Sequence, residues 1–139
     1  MLRTMMALAK VDGRVCAFLE PIALYMTKDL HETGDGGWLT TYPVPDQAMP
    51  FGEGRVYLPE NGGEGEDLVI FSFGNGVPMS LRAAREIGRT HGWKTRVVDL
   101  RWLQPLNEAF IAEQARTAKR IIVVDEGRRS AGVGEGIIT

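Results

Sequence analysis

The sequence predicts an α/β fold built on a mostly parallel β-sheet. Three observations predict it. The stretches DLVIFSFG, TRVVDLR and RIIVVDE are near-continuous apolar runs rich in β-branched residues, the pattern of strands buried on both faces in parallel sheets. Two segments of helical periodicity separate them, giving the order β-α-β-α-β. At 139 residues the chain is long enough for one domain with a real core.

Each element has its own signal. LRTMMALAK reads as a helix piece, because Leu2, Met5, Met6 and Ala9 recur at helical spacing. RVCAFLE, at 14–20, reads as a strand. Residues 26–66 hold eight glycines and four prolines, which break any periodic pattern. A structureless stretch that long does not belong inside a compact domain, so it reads as a crossing between two domains, interrupted by a short strand at RVYLPE. DLVIFSFG is followed by MSLRAAREIGRTHG, where Leu81, Ala84, Ile87 and His91 fall along one helical face and Gly92 supplies the stop. After TRVVDLR comes PLNEAFIAEQARTAK. Asn107 is its expected N-cap, and Leu106 and Ile111 are spaced as a hydrophobic staple. Glu108 and Glu113 come early, Arg116 and Lys119 late, matching the helix dipole. Strands joined by helices in this way imply right-handed crossovers. Past RIIVVDE, GVGEGIIT reads as the start of another helix. The expectation is the tail of one domain, a linker, and most of a second domain.

Composition excludes several classes. The chain carries 16 basic and 18 acidic side chains, a net charge of −2, which argues against nucleic acid and anionic membrane surfaces as partners. No apolar run approaches the roughly 18 residues of a membrane span, and MLRTMMALAKVDG lacks the long apolar core of a signal peptide. A lone Cys16 cannot form an internal disulfide and suits a reducing, cytoplasmic compartment. Two distant histidines, His31 and His91, give no zinc-binding pattern.

Two Gly-rich turns are candidates for anion binding. In FSFGNGVPMS, Gly74 and Gly76 would let helix N–H groups meet a phosphate. However, the Lys-Ser/Thr pair of a P-loop is absent. Met79 stands where a dinucleotide fingerprint needs a small residue, and Pro78 removes a donor. A tight strand-to-helix turn is the better reading. In DEGRRSAGVGEG, Gly132, Gly134 and Gly136 allow close backbone approach, and Arg128 and Arg129 add charge. This loop reads either as an anion site or as a packed interface loop. Asp99 and the Asp125–Glu126 pair close adjacent predicted strands, where α/β sheets often bind ligands. With no nucleophile or metal cluster beside them, ion pairing with Arg101, Arg128 and Arg129 outweighs acid–base work. Trp38, Trp93 and Trp102 read as packing or interface anchors.

The ordered stretches AFLEPIALY, PFGEGRVYLP, DLVIFSFGNGVPMSLRAA, RVVDLRWLQPLNEAFI and RIIVVDEGRRSAGVGEGI together resemble the β-type half of the E1 component of 2-oxo acid dehydrogenase complexes. Transketolase shares that architecture, and deoxyxylulose-phosphate synthase is the alternative within it. The resemblance implies that residues 1–25 end a pyrimidine-binding domain and that 26–50 form a linker. Residues 51–139 would be a transketolase C-terminal-like domain, incomplete at its C-terminus. It implies a three-layer α/β/α sandwich whose sheet is mostly parallel, with RVYLP antiparallel. It implies a parent enzyme that decarboxylates a 2-oxo acid with thiamine diphosphate and Mg²⁺ and passes the acyl group to lipoyl-E2. Its partners would be the remainder of E1, a second copy in a homo-oligomer, and the E2 acyltransferase. The family's thiamine-site residues fall outside this chain, so no catalytic, cofactor-binding or metal residue carries over. Gly74, Gly76, Asp99, Arg101, Pro105, Glu126 and Arg128 match the family pattern. With Gly132 and Gly134 they are the structural or interface candidates. The stretch TKDLHETGDGGWLTTYP is longer than the linker of two-subunit E1 proteins and suits a single-chain E1.

Overall fold

The computed structural model describes residues 1–128 and 130–139, so the expectation for Arg129 lies outside the described residues. The elements run α1 (Leu2–Val11), β1 (Arg55–Tyr57), β2 (Leu68–Ser72), α2 (Gly76–His91), β3 (Thr95–Asp99), α3 (Glu108–Arg116), β4 (Ile121–Val123) and α4 (Val133–Ile138), with short 3-10 turns at Ile22–Leu24 and Pro45–Gln47.

Side-chain alternation along the strands makes the layers. Successive residues point to opposite sheet faces. Val69, Phe71, Val98 and Leu100 meet Phe110, Ile111 and Ala115 of α3 and Val133 and Ile137 of α4 on one face. Leu68, Ile70 and Val97 meet Leu81, Ala84 and Ile87 of α2 on the other. The result is a three-layer α/β/α sandwich. Its sheet has the order β1-β3-β2-β4. β2 pairs in parallel with β3 (Leu68 opposite Thr95, Ser72 opposite Asp99) and with β4 (Val69 opposite Ile121). β1 is antiparallel to β3, with Arg55 opposite Asp99. The fold class read from the sequence therefore holds, including the one antiparallel strand.

The helix signals also hold. Gly92 ends α2 in the left-handed conformation, at φ 69°, a backbone state without steric cost for glycine. Asn107 Oδ1 accepts from Phe110 N at 3.0 Å, capping α3.

Three expectations fail. Residues 14–20 form no strand: no backbone group there finds a ladder partner among the described residues. β4 is not buried on both faces. It is an edge strand, and Ile121 is 52% exposed. β3 and β4 are not adjacent: the crossover through α2 places β3 on one side of β2, and the crossover from β3 through α3 returns past β2 and places β4 on the other.

Residues 29–38 are irregular but not structureless. Asp35 accepts from the backbone N–H groups of Leu30, His31, Glu32 and Gly37, and Asp29 accepts from those of Gly34 and Gly36. Four donors hold the Asp35 carboxyl far below the usual carboxylate range. This knot is pinned to the sandwich by Arg82, which donates to Leu30 O at 2.5 Å, and by His31, whose Nε2 lies 2.8 Å from Glu60 Oε1.

Candidate functional site

The chemistry-bearing residues collect at the carboxyl ends of β2, β3 and β4. Ser72 ends β2, and its buried hydroxyl donates to Val124 O at 3.1 Å, tying β2 to the end of β4. Gly74 follows at φ 55°. Gly76 is buried: a Cβ there would stand 2.1 Å from Ser72 Oγ. The first N–H groups of α2 turn back into this bend, Gly76 N to Phe73 O at 3.1 Å and Val77 N to Gly74 O at 3.3 Å. Pro78 has none to offer. The stretch is a strand-to-helix turn that uses its own donors.

The second Gly-rich loop also supplies its own anion. Asp125 Oδ1 accepts from Gly127 N at 2.7 Å, and Oδ2 accepts from Gly134 N at 2.8 Å. A Cβ at Gly132 would lie 3.0 Å from Asp125 Oδ2, and one at Gly134 would lie 3.2 Å from it. The glycines make room for an internal carboxylate. Asp125 is thus a backbone cap, with no arginine partner among the described residues. Glu126 Oε2 accepts from Asn75 Nδ2 at 3.4 Å. Arg128 is exposed in the same loop.

The predicted ion pair with Arg101 does form. Beyond β3, Leu100 N donates to Ser72 O at 3.0 Å, and Arg101 takes a left-handed backbone at φ 59°. Its Nε then reaches Asp99 Oδ2 at 2.8 Å. Burial pushes the Asp99 carboxyl above its ordinary pKa, against the opposing pull of the Arg101 hydrogen bond. Trp102 is 7% exposed and meets the Phe51 ring edge to face, with centroids 4.9 Å apart. It is a packed anchor, not an exposed interface residue. Gln104–Pro105 is a cis peptide bond.

Asp99, Arg101, Trp102, Pro105, Gly74 and Glu126 line one side of a basin of about 840 Å³. Met5 and Leu8 of α1, Phe18 and Trp38 line the other. The structure therefore brings Gly74, Asp99, Arg101, Pro105 and Glu126 to one apolar basin. It sends Arg128 and Gly132 to a second hollow after β4 that shares Phe73 and Glu126 with the basin, buries Gly134 against Asp125, and buries Gly76 beneath the turn. Sequence reasoning missed Ser72 and the capping role of Asp125. A hydroxyl inside an otherwise apolar run was the available signal for the first.

The match to a protein-family model spans residues 60–139, more than half of the chain, and takes in β2 through α4. That model describes the C-terminal domain of transketolase. This chain belongs to the transketolase C-terminal domain family. Curated relatives of this transketolase C-terminal domain include 1-deoxy-D-xylulose-5-phosphate synthase of Vibrio cholerae, 34% identical over 66% of this chain. They also include the pyruvate dehydrogenase E1 component subunit beta of Staphylococcus aureus, 32% identical over 68% of this chain. The chain spans 14% of the first relative's length and 28% of the second's.

Among the described residues, no three His, Cys, Asp or Glu side chains stand together as metal ligands. Likewise, no described helix is long and apolar enough to cross a membrane.

Proposed function

We propose that this chain is the C-terminal region of an E1 component of a 2-oxo acid dehydrogenase complex, serving assembly and partner docking rather than catalysis. One observation carries the reading: the unsatisfied apolar surface around the basin. Val15 is fully exposed, and Leu19 and Ile22 are about 80% exposed. Contiguous apolar surface of this kind marks a protein contact. Support for the E1 assignment comes from AFLEPIALY at the proposed domain junction and from the likeness to an E1 beta subunit. In this reading residues 1–25 finish a pyrimidine-binding domain, 26–50 cross between domains, and 51–139 form the C-terminal domain. Thiamine diphosphate with Mg²⁺, held by the rest of the enzyme, supplies the carbanion chemistry. The partners are the other E1 domains, a second E1 copy and E2, in the cytoplasm.

The likeness to a 1-deoxy-D-xylulose-5-phosphate synthase favours a second reading, the matching domain of such a synthase. One experiment separates the two. The full-length protein is assayed for 2-oxo acid-dependent reduction of an artificial electron acceptor and, in parallel, for formation of 1-deoxy-D-xylulose 5-phosphate. Acceptor reduction is expected. Sugar-phosphate formation without it would overturn the E1 reading. A stand-alone phosphate-binding module fits the geometry poorly, because Gly76 N and Val77 N of the first turn and Gly127 N and Gly134 N of the second already donate within the chain.

A further inference from the structure

On the α2 face of the sheet, the helix and the edge strand β1 do not close on each other. Ala84 and Gly88 stand one turn apart on α2, and side chains this small leave space above β1 and β3. The space is a cavity of about 300 Å³, at the small end of the range for ligand pockets. Tyr57, Leu81, Ala84 and Val97 give it apolar walls. The loop after β1 borders it, held there by Asn61, whose Nδ2 donates to Trp93 O at 3.2 Å. Gly88 lets that loop come close, since a Cβ there would stand 3.1 Å from Asn61 Nδ2.

Two polar features meet this apolar space. Thr95, which opens β3 and lines the cavity, is 2% exposed, and its hydroxyl has no hydrogen-bond partner among the described residues. A buried donor in that state carries a desolvation cost that an acceptor on a bound molecule would offset. Arg85 and Arg89 also line the cavity, one helical turn apart. Arg89 is occupied by Glu86, through two hydrogen bonds at 2.7 and 3.0 Å. Arg85 meets only Glu60, at 3.3 Å through Nε, and both side chains of that pair are about half exposed, so the pair is weak. Glu60 is moreover shared with His31. Among the described residues the terminal nitrogens of Arg85 make no hydrogen bond, and they remain for an incoming anion.

We propose that this cavity binds a short aliphatic carboxylate that carries a carbonyl a few carbons from its charge. The chain lies along Leu81, Ala84 and Val97, the carboxylate accepts from Arg85, and the carbonyl accepts from the Thr95 hydroxyl. A bare inorganic anion would leave the walls unfilled, and an uncharged ketone would leave Arg85 unanswered. The inference goes beyond the assembly role and holds whichever enzyme the parent is.

The test is calorimetric titration of the full-length protein with 4-oxopentanoate, which reads binding without turnover. Saturable binding with a Kd of about 1 mM or tighter is expected for a ligand this small. Pentanoate, which lacks the carbonyl, should bind about 3–10-fold more weakly, and 2-pentanone, which lacks the charge, at least ~10-fold more weakly. Thr95→Val keeps the side-chain shape; it should bring 4-oxopentanoate down to the pentanoate level and leave pentanoate unchanged. Arg85→Gln should weaken both acids. A diazirine analogue of the probe, used on the unaltered protein, should label residues 57–61 or 81–89, which keeps the test decisive if a variant fails to fold. Absence of saturable binding would leave the cavity to water and overturn the proposal. So would equal binding of 2-pentanone, displacement of the probe by an equal concentration of inorganic phosphate, binding indifferent to Arg85→Gln, or labelling confined to other residues.

Discussion

At Arg101 the left-handed backbone, φ 59°, carries a strain cost that a side chain must offset, and the 2.8 Å contact with Asp99 supplies the offset. Because burial raises the Asp99 pKa, the folded state holds that proton more tightly than the unfolded chain does. Ionisation therefore costs stability as pH rises from the ordinary value of 3.8 through the raised folded value. Asp99→Asn, which still accepts from Arg101, is expected to be at least as stable as the parent at pH 7, with the difference vanishing below 3.8. Urea midpoints at the two pH values check this, and a clearly lower midpoint at pH 7 counts against it. Arg101→Ala strands the carboxyl without its donor and is expected to cost about 1–3 kcal/mol. Gly76→Ala drives a methyl toward Ser72 Oγ and forces that hydroxyl off Val124 O. The expected loss is about 1–3 kcal/mol, the usual cost of overpacking. An unchanged urea midpoint would show that the turn yields.

For whole elements, local signals worked where they were self-contained. The stop at Gly92 and the cap at Asn107 each need only a few neighbouring residues, so both were legible. Asn107→Ala is expected to cost about 0.5–2 kcal/mol, and Asn107→Asp should keep the cap, since its carboxylate accepts from Phe110 N as well. Equal thermal midpoints for the Ala and Asp variants would deny the capping bond its role. Strand order was less legible. Three apolar runs reveal strands but not which sits between the others. β2 became central because the α2 crossover sets β3 on one side of it and the α3 crossover then carries the chain from β3 back past β2 to β4, with Leu81, Ala84 and Ile87 of α2 packing on one face and Phe110 of α3 on the other. That also explains why β4, with an ordinary buried-strand sequence, has half-exposed isoleucines.

Over the whole molecule, acid should loosen the outer parts before the sandwich. Asp35 and Asp67 are both held below the ordinary carboxylate pKa, Asp35 by backbone donors and Asp67 first by Lys119 and then by Lys94 N. A depressed folded pKa stabilises above the ordinary value and is lost as pH falls through the folded one. Loop 29–38 is expected to leave α2 below pH 3.8 while the β2–β3 core stays folded, since that core holds no acidic side chain apart from Asp99 at its end. Backbone NMR signals of Leu30, His31 and Gly37 moving ahead of those of Ile70 and Val97 would show it; simultaneous loss would refute it. The sequence by itself determined the α/β class, the helices with their caps, and the absence of any apolar run long enough to span a membrane, because periodicity and end signals are local. Only the tertiary structure decided the strand order, the use of Asp125 as an internal anion, and the gathering of Asp99, Arg101 and Phe18 around one basin. Those depend on contacts between residues far apart in the chain, and no local pattern encodes which distant group fills a given space.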